Sequence, residues 1–243
     1  MKKKVIITIV IVVLALGGII GKYAFEKAQE AHDNSVVEFA DETMGQVLCN
    51  SCHWSDEITL KNVTYKDLKG INKLRTGYIG YYNTLIDLQY CTRLHRLYIN
   101  SGIGENDGAY FINQGEVNRK VSEKDVENIQ QELGEILPKL KELTKLGLSS
   151  EGEVKWTSID FLKNCDNIES ISIGGCKVTD YSVLKTCTSL KEIQITCSDL
   201  SKAEDLIGLE NLESIMILNT PLAENPEEVK KLQEAYPDAE IYY

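Results

Sequence analysis

The stretch from Asn167 to Leu222, NIESISIGGCKVTDYSVLKTCTSLKEIQITCSDLSKAEDLIGLENLESIMILNTPL, decides the fold. Its apolar positions are Ile168, Ile171, Ile173, Cys176 and Val178, then Leu190, Ile193, Ile195, Ser198 and Leu200, then Leu212, Ile215, Ile217, Thr220 and Leu222, so three 22-residue units lie head to tail without a gap. Within each unit two apolar residues separated by one position predict a short strand with alternate side chains turned inward. A unit that is apolar on one side cannot bury that side alone, so neighbours must stack. Such a stack offers an extended surface more readily than an enclosed cleft.

A second signal carries the frame outward. Each unit closes on three apolar residues spaced by three, the last opening the next strand: Leu68, Ile71, Leu74; Leu88, Cys91, Leu94; Leu137, Leu140, Leu143; Leu162, Cys165, Ile168; Leu184, Cys187, Leu190; Leu206, Leu209, Leu212. Spacing by three predicts a 3₁₀-like turn on the outer side of each unit. Inward strand residues should follow at fixed offsets: Gly77 and Ile79, Leu97 and Ile99, Leu146 and Leu148, then the pairs already named. The step from Leu94 to Leu143 is 49 residues, about 27 beyond one repeat. That insertion (about 102–136) reads as a Gly- and Asn-rich loop over 102–120, which either rounds off one repeat or projects over the rim toward a partner. A helix follows over Ser122 to Glu142, capped by Ser122 with Asp125, with Val126, Ile129, Leu133, Ile136, Leu137 and Leu140 as its buried stripe and Pro138 kinking or ending it.

At the ends, residues 23–57 read as a polar stalk and a capping helix. Ser35 with Glu38 resembles a capping box, and Val36, Ala40, Met44 and Val47 would share one helical face. Residues 223–243 form the opposite cap, a helix over Pro226 to Ala235 and a last strand with Ala239 and Ile241 inward.

The repeat resembles the leucine-rich repeat of the internalins, whose T-D-I-S-P-L-x-N-L-T-N-L-like run stands where this chain has Thr179-Asp180-Tyr181-Ser182-Val183-Leu184-Lys185-Thr186-Cys187-Thr188-Ser189-Leu190. Val183 replaces the convex-turn proline, and Cys176, Ser198 and Thr220 stand at the asparagine-ladder position. The resemblance covers residues 58–243. It implies a curved α/β solenoid, a horseshoe with a parallel concave sheet and short 3₁₀ or α turns on the convex side, displayed outside the cell and binding other proteins.

Lys2, Lys3 and Lys4 precede an uncharged run from Val5 to Gly21, 17 residues ended by Lys22. As a helix it spans about 26 Å, near the lower limit for crossing a ~30 Å hydrocarbon core. Residues 1–22 are read as an uncleaved signal anchor with the N-terminus in the cytoplasm and the repeats outside; a cleaved signal peptide is the alternative. Beyond Lys22, 22 basic residues face 37 acidic ones, a balance near −15. Nucleic acid is disfavoured as a partner, and membrane contact is expected through the N-terminal helix only.

Cys49-Asn50-Ser51-Cys52-His53 matches the C-x-x-C-H pattern of c-type haem attachment or a redox pair. The repeats begin within ten residues, leaving no room for an enclosing haem fold, so a structural role in the cap is favoured and no cofactor is expected. Cys91, Cys165 and Cys187 share one repeat position with Leu209 and read as buried leucine substitutes; a Cys165–Cys187 bridge is the alternative. His32, His53 and His95 do not cluster, and no metal-ligand or nucleophile–base spacing occurs. The chain reads as a binding protein, not an enzyme. Its expected ligand face is the outward side of the first strands: Arg75, Tyr78, Tyr81, His95, Arg96, Tyr98 and Asn100, with Tyr78 beside Tyr98 in successive repeats. Tyr and Arg dominate binding hot spots. The partner is a protein or a surface polymer, or a membrane complex to which this chain is an accessory subunit.

Overall fold

A computed structural model describes residues 21–53, 58–100, 121–150 and 155–243. Strands β1 (Lys73–Arg75), β2 (Arg96–Ile99), β3 (Lys145–Ser149), β4 (Ser170–Gly174), β5 (Glu192–Thr196), β6 (Ser214–Met216) and β7 (Glu240–Tyr242) form one parallel sheet in chain order. Between them the chain crosses the outer side in 3₁₀ turns, among them Ile86–Tyr90, Asp160–Leu162 and Ser182–Thr186. Their cause is the spacing by three: Cys91 N donates to Leu88 O and Leu94 N to Cys91 O, and Cys187 N and Leu190 N repeat the arrangement one step behind each other. Each bond brings the next apolar side chain back to the same inner row, where Leu88, Cys91, Leu94, Leu184, Cys187 and Leu190 are buried. The molecule is a leucine-rich repeat solenoid.

The first unit departs from the expected phase. Leu74 pairs in register with Leu97, and Thr76 follows where Ile99 stands, so Leu74 is a strand residue and Gly77 and Ile79 lie past the strand. Leu68, Ile71 and Leu74 are all buried, so burial leaves the choice open. The ladder decides it, with Arg96 N donating to Asn72 O. Strand exits are marked by left-handed backbone at Gly77, Asn100, Gly175, Cys197 and Asn219.

At the N-terminal end residues 21–33 form helix α1, almost wholly exposed. Among the described residues no helix is long and apolar enough to cross a membrane; the expected anchor over 1–22 lies almost entirely outside them. The Ser35/Glu38 box does not form. Ser35 Oγ instead donates to His32 O at 2.7 Å, closing α1, and Val36 is exposed while Val37 is buried. Helix α2 (Glu42–His53) begins later because Asp41 is its cap, Oδ1 accepting from Met44 N at 2.8 Å. Asp41 Oδ2 also accepts from Asn83 N at 2.7 Å, and Asp87 accepts from Ala40 N at 3.0 Å and Asp41 N at 2.9 Å. These two buried carboxylates fasten the cap to the second repeat across the first. Met44, Val47 and Leu48 of α2 close the end of the core. A short helix, α3 (Tyr65–Lys69), opens on a capping box of Thr64 and Asp67.

Helix α4 (Glu123–Ile136) follows the insertion, capped by Ser122 and Asp125 and continued by the 3₁₀ turn Leu137–Lys139 that Pro138 imposes. Its buried stripe is Val126, Ile129, Leu133 and Ile136, and Glu132 Oε2 accepts from Leu85 N at 2.8 Å. The 102–120 loop lies outside the described residues. Helix α5 (Pro226–Ala235), capped by Asn225, buries Val229 and Leu232 but leaves Ala235 exposed. Ile241 of β7 pairs with Ile215 and closes the sheet.

Candidate binding face

Strand alternation sorts the sheet residues into two inner rows and two outward rows. Leu74, Leu97, Leu146, Ile171, Ile193 and Ile215 point into the core. In register on the concave side stand Lys73, Arg96, Lys145, Ser170, Glu192, Ser214 and Glu240. The second outward row is Arg75, Tyr98, Gly147, Ser172, Gln194, Met216 and Tyr242.

Three neighbours in that second row make a built surface. The Arg75 guanidinium lies over the Tyr98 ring, 4.5 Å from its centroid, an interaction worth about 0.5–1 kcal/mol at an exposed site. On the other side the ring leans across Gly147, where a Cβ would stand 2.5 Å from Tyr98 Cδ1. Glycine at 147 is therefore what lets the tyrosine lie down. In the first row Lys145 Nζ reaches over Ser170 to Glu192 Oε2 at 3.5 Å. His95 sits at the entry to β2, exposed, with Nδ1 2.8 Å from Arg93 O and Nε2 3.6 Å from Glu142.

The expected site residues thus divide. Arg75, Arg96 and Tyr98 share the concave face, with His95 at its edge. Tyr78 and Tyr81 do not belong to it. Arg75, not Tyr78, is the register partner of Tyr98; Tyr78 precedes and Tyr81 ends the 3₁₀ turn Ile79–Tyr81, their rings edge to face at 5.4 Å. Tyr78 packs over Gly80. Asn100 is a correction of another kind. Left-handed backbone (φ 51°) turns its side chain inward, where Oδ1 accepts from Ile79 N at 3.2 Å and Nδ2 donates to Ser149 O at 2.8 Å. It is a buried inter-repeat brace and presents nothing to a ligand. Sequence reasoning missed Lys73, Lys145 and Glu192; their fixed offset of two after the residue that opens each strand was the available signal.

The two cysteines of the C-x-x-C-H segment are held inside the cap. Cys49 and Cys52 are buried in α2 against the core, and burial pushes their thiols up to about 11 and about 12. A thiol held protonated is a poor nucleophile for redox exchange or thioether formation. The His53 side chain lies outside the described atoms. Cys91, Cys165 and Cys187 are buried in the leucine row, no Cys165–Cys187 bridge is present, and all seven cysteines are free. Among the described residues no three His, Cys, Asp or Glu side chains converge to hold a metal ion.

No family model and no curated protein matches this chain. Solved structures do resemble it. An internalin from Listeria monocytogenes is 16% identical with a TM-score of 0.49, covering 87% of this chain and 57% of its own. A leucine-rich repeat protein from Leptospira interrogans is 16% identical at a TM-score of 0.45, over 73% of this chain and 38% of that one. Internalin C2 from Listeria monocytogenes is 18% identical at 0.35, over 78% and 88%. This chain spans less than two thirds of the length of the first two. The assignment to leucine-rich repeats rests on its own strand ladder.

Proposed function

We propose that this protein is a recognition module that binds a partner protein on the first three strands of its concave sheet, held outside the cell by its N-terminal segment. The single observation that carries the reading is the Arg75–Tyr98–Gly147 arrangement. An aromatic ring packed against a glycine and covered by a guanidinium leaves the core nothing to gain, because the core lies on the opposite side of the sheet. Rigid Tyr and Arg surfaces of this kind are the groups on which binding energy concentrates. Membrane attachment is supported by Lys2–Lys4 before the uncharged run Val5–Gly21.

A photoactivatable side chain at position 98 should form an adduct with a protein in intact cells, and one at position 163 on the convex side should not. Equal adduct formation at both, or none at 98, refutes the reading. Protease added to intact cells should remove the repeats, and mass spectrometry should find residues 1–22 still attached.

A further inference from the structure

We infer that the partner offers this face an acidic segment whose negative charge is confined to one end, because the concave sheet is electrically bipolar along its length. The inference rests on the recognition reading above and specifies its ligand. The whole chain carries 37 acidic against 26 basic residues, yet every charged outward residue of β1 to β3 is a cation: Lys73, Arg75, Arg96 and Lys145. On β5 to β7 the sign reverses, with Glu192 and Glu240 and no cation. Lys73 and Arg96 are exposed register neighbours and enter no ion pair among the described residues. Neighbouring strands lie about 4.8 Å apart, and alternate side chains of an extended peptide about 6.7 Å apart, so successive carboxylates of one peptide can engage both cations.

Tyr98, lying between Arg75 and Gly147, supplies the flat contact beneath such a peptide. The Lys145–Glu192 pair marks the boundary between the two halves. A uniformly anionic polymer would meet repulsion beyond that boundary. A protein segment with acidic residues followed by neutral or basic ones would not. Charge complementarity of this kind selects partners and speeds encounter more than it adds affinity.

The test uses the full chain and a fluorescent synthetic peptide of four acidic residues, a Gly-Ser-Tyr spacer and two lysines. Its controls are a peptide of the same composition with charges interleaved, and inorganic polyphosphate of equal charge. Anisotropy should show the block peptide binding at least fivefold tighter than either control, weakening as salt rises. Arg96→Glu should weaken it at least tenfold with an unchanged melting temperature; Lys73→Glu serves if that variant does not fold. Glu192→Lys should improve polyphosphate binding. No binding of the block peptide, equal binding by Arg96→Glu, or polyphosphate binding as tightly overturns the inference. If the position-98 adduct persists while the peptides are not distinguished, the charge reading falls and the recognition reading stands. Loss of the adduct removes the recognition reading itself.

Discussion

Replacing Asp87 by alanine should loosen the N-terminal cap. The carboxylate is fully buried and holds two backbone donors, Ala40 N at 3.0 Å and Asp41 N at 2.9 Å. Hydrogen bonds to a charged group contribute about 1.5–3 kcal/mol each. Ala40 is exposed, so water can replace one acceptor, whereas Asp41 is buried and its donor would be orphaned. Against this stands the removal of a desolvated charge. Burial raises the Asp87 carboxyl above its ordinary value, and the neighbouring charges of Asp41 and Glu132 push the same way. The net loss for Asp87→Ala is then about 2–4 kcal/mol, and about half that for Asp87→Asn, which keeps one acceptor. Because the folded pKa lies above the unfolded one, the stability Asp87 contributes is fullest below about 4 and declines as pH rises through the folded value. The deficit of the alanine variant should therefore grow from pH 7.5 toward pH 4.5. Urea titration at both pH values, with hydrogen exchange at α2 amides, reads the effect. A loss under about 1 kcal/mol, wild-type protection in α2, or a deficit that shrinks on acidification would refute the reasoning.

Other outcomes follow from single residues. Cys197→Asn should raise stability by about 0.5–1 kcal/mol in thermal melts, because Cys197 holds φ at 50° and Asn occupies the left-handed region readily, as Asn219 does one repeat on. Native protein should expose one fast-reacting thiol of seven to a disulfide reagent, Cys197, with the other six appearing at the rate of unfolding; a second fast thiol would contradict the burial of Cys49 and Cys52. Gly147→Ala should displace the Tyr98 ring and abolish ligand binding while changing stability by less than about 1 kcal/mol, since the half-exposed ring can swing away; unchanged binding would show that the ring's pose does not matter. Tyr181 places its hydroxyl in the core without a well-formed partner, although Ser198 is near enough to influence it; Tyr181→Phe should be neutral or stabilising, by up to about 1–2 kcal/mol in the same melts.

Much of the fold was legible because the repeat repeats. A strand alternation and a row spaced by three are local signals, and they recur often enough to correct one another from β2 to β6. The helix at Glu123–Ile136 and the one at Pro226–Ala235 were readable from cap, stripe and proline, although the first stops at Ile136, short of Glu142, where Pro138 turns the chain into a 3₁₀ turn. Where partners lie far along the chain, the same signals failed. Ser35 with Glu38 has the form of a cap, but Asp41 has Asn83 and Asp87 to bind, and no local pattern sees 46 residues ahead. In the first unit three equally buried residues at equal spacing left the phase undetermined until β2 fixed it. Of the site, Arg75, Arg96 and Tyr98 were visible as residue types. Their relation was not, because it depends on register and on Gly147 having no side chain. Asn100 was misplaced for a backbone reason: a positive φ at the residue just past β2 reverses which way the side chain faces.

The Lys145–Glu192 pair has a kinetic consequence. Both side chains remain about half exposed, 47% and 55%, so the pair adds little to stability, at most about 1 kcal/mol. An anionic group arriving at Lys145 trades one wet ion pair for another, and Glu192 is released to solvent without being stranded. Little desolvation is needed to open the exchange and little is recovered on closing it. On the recognition reading proposed above, lifetimes on such a surface are short and exchange among competitors is rapid, so occupancy follows the local concentration of ligand.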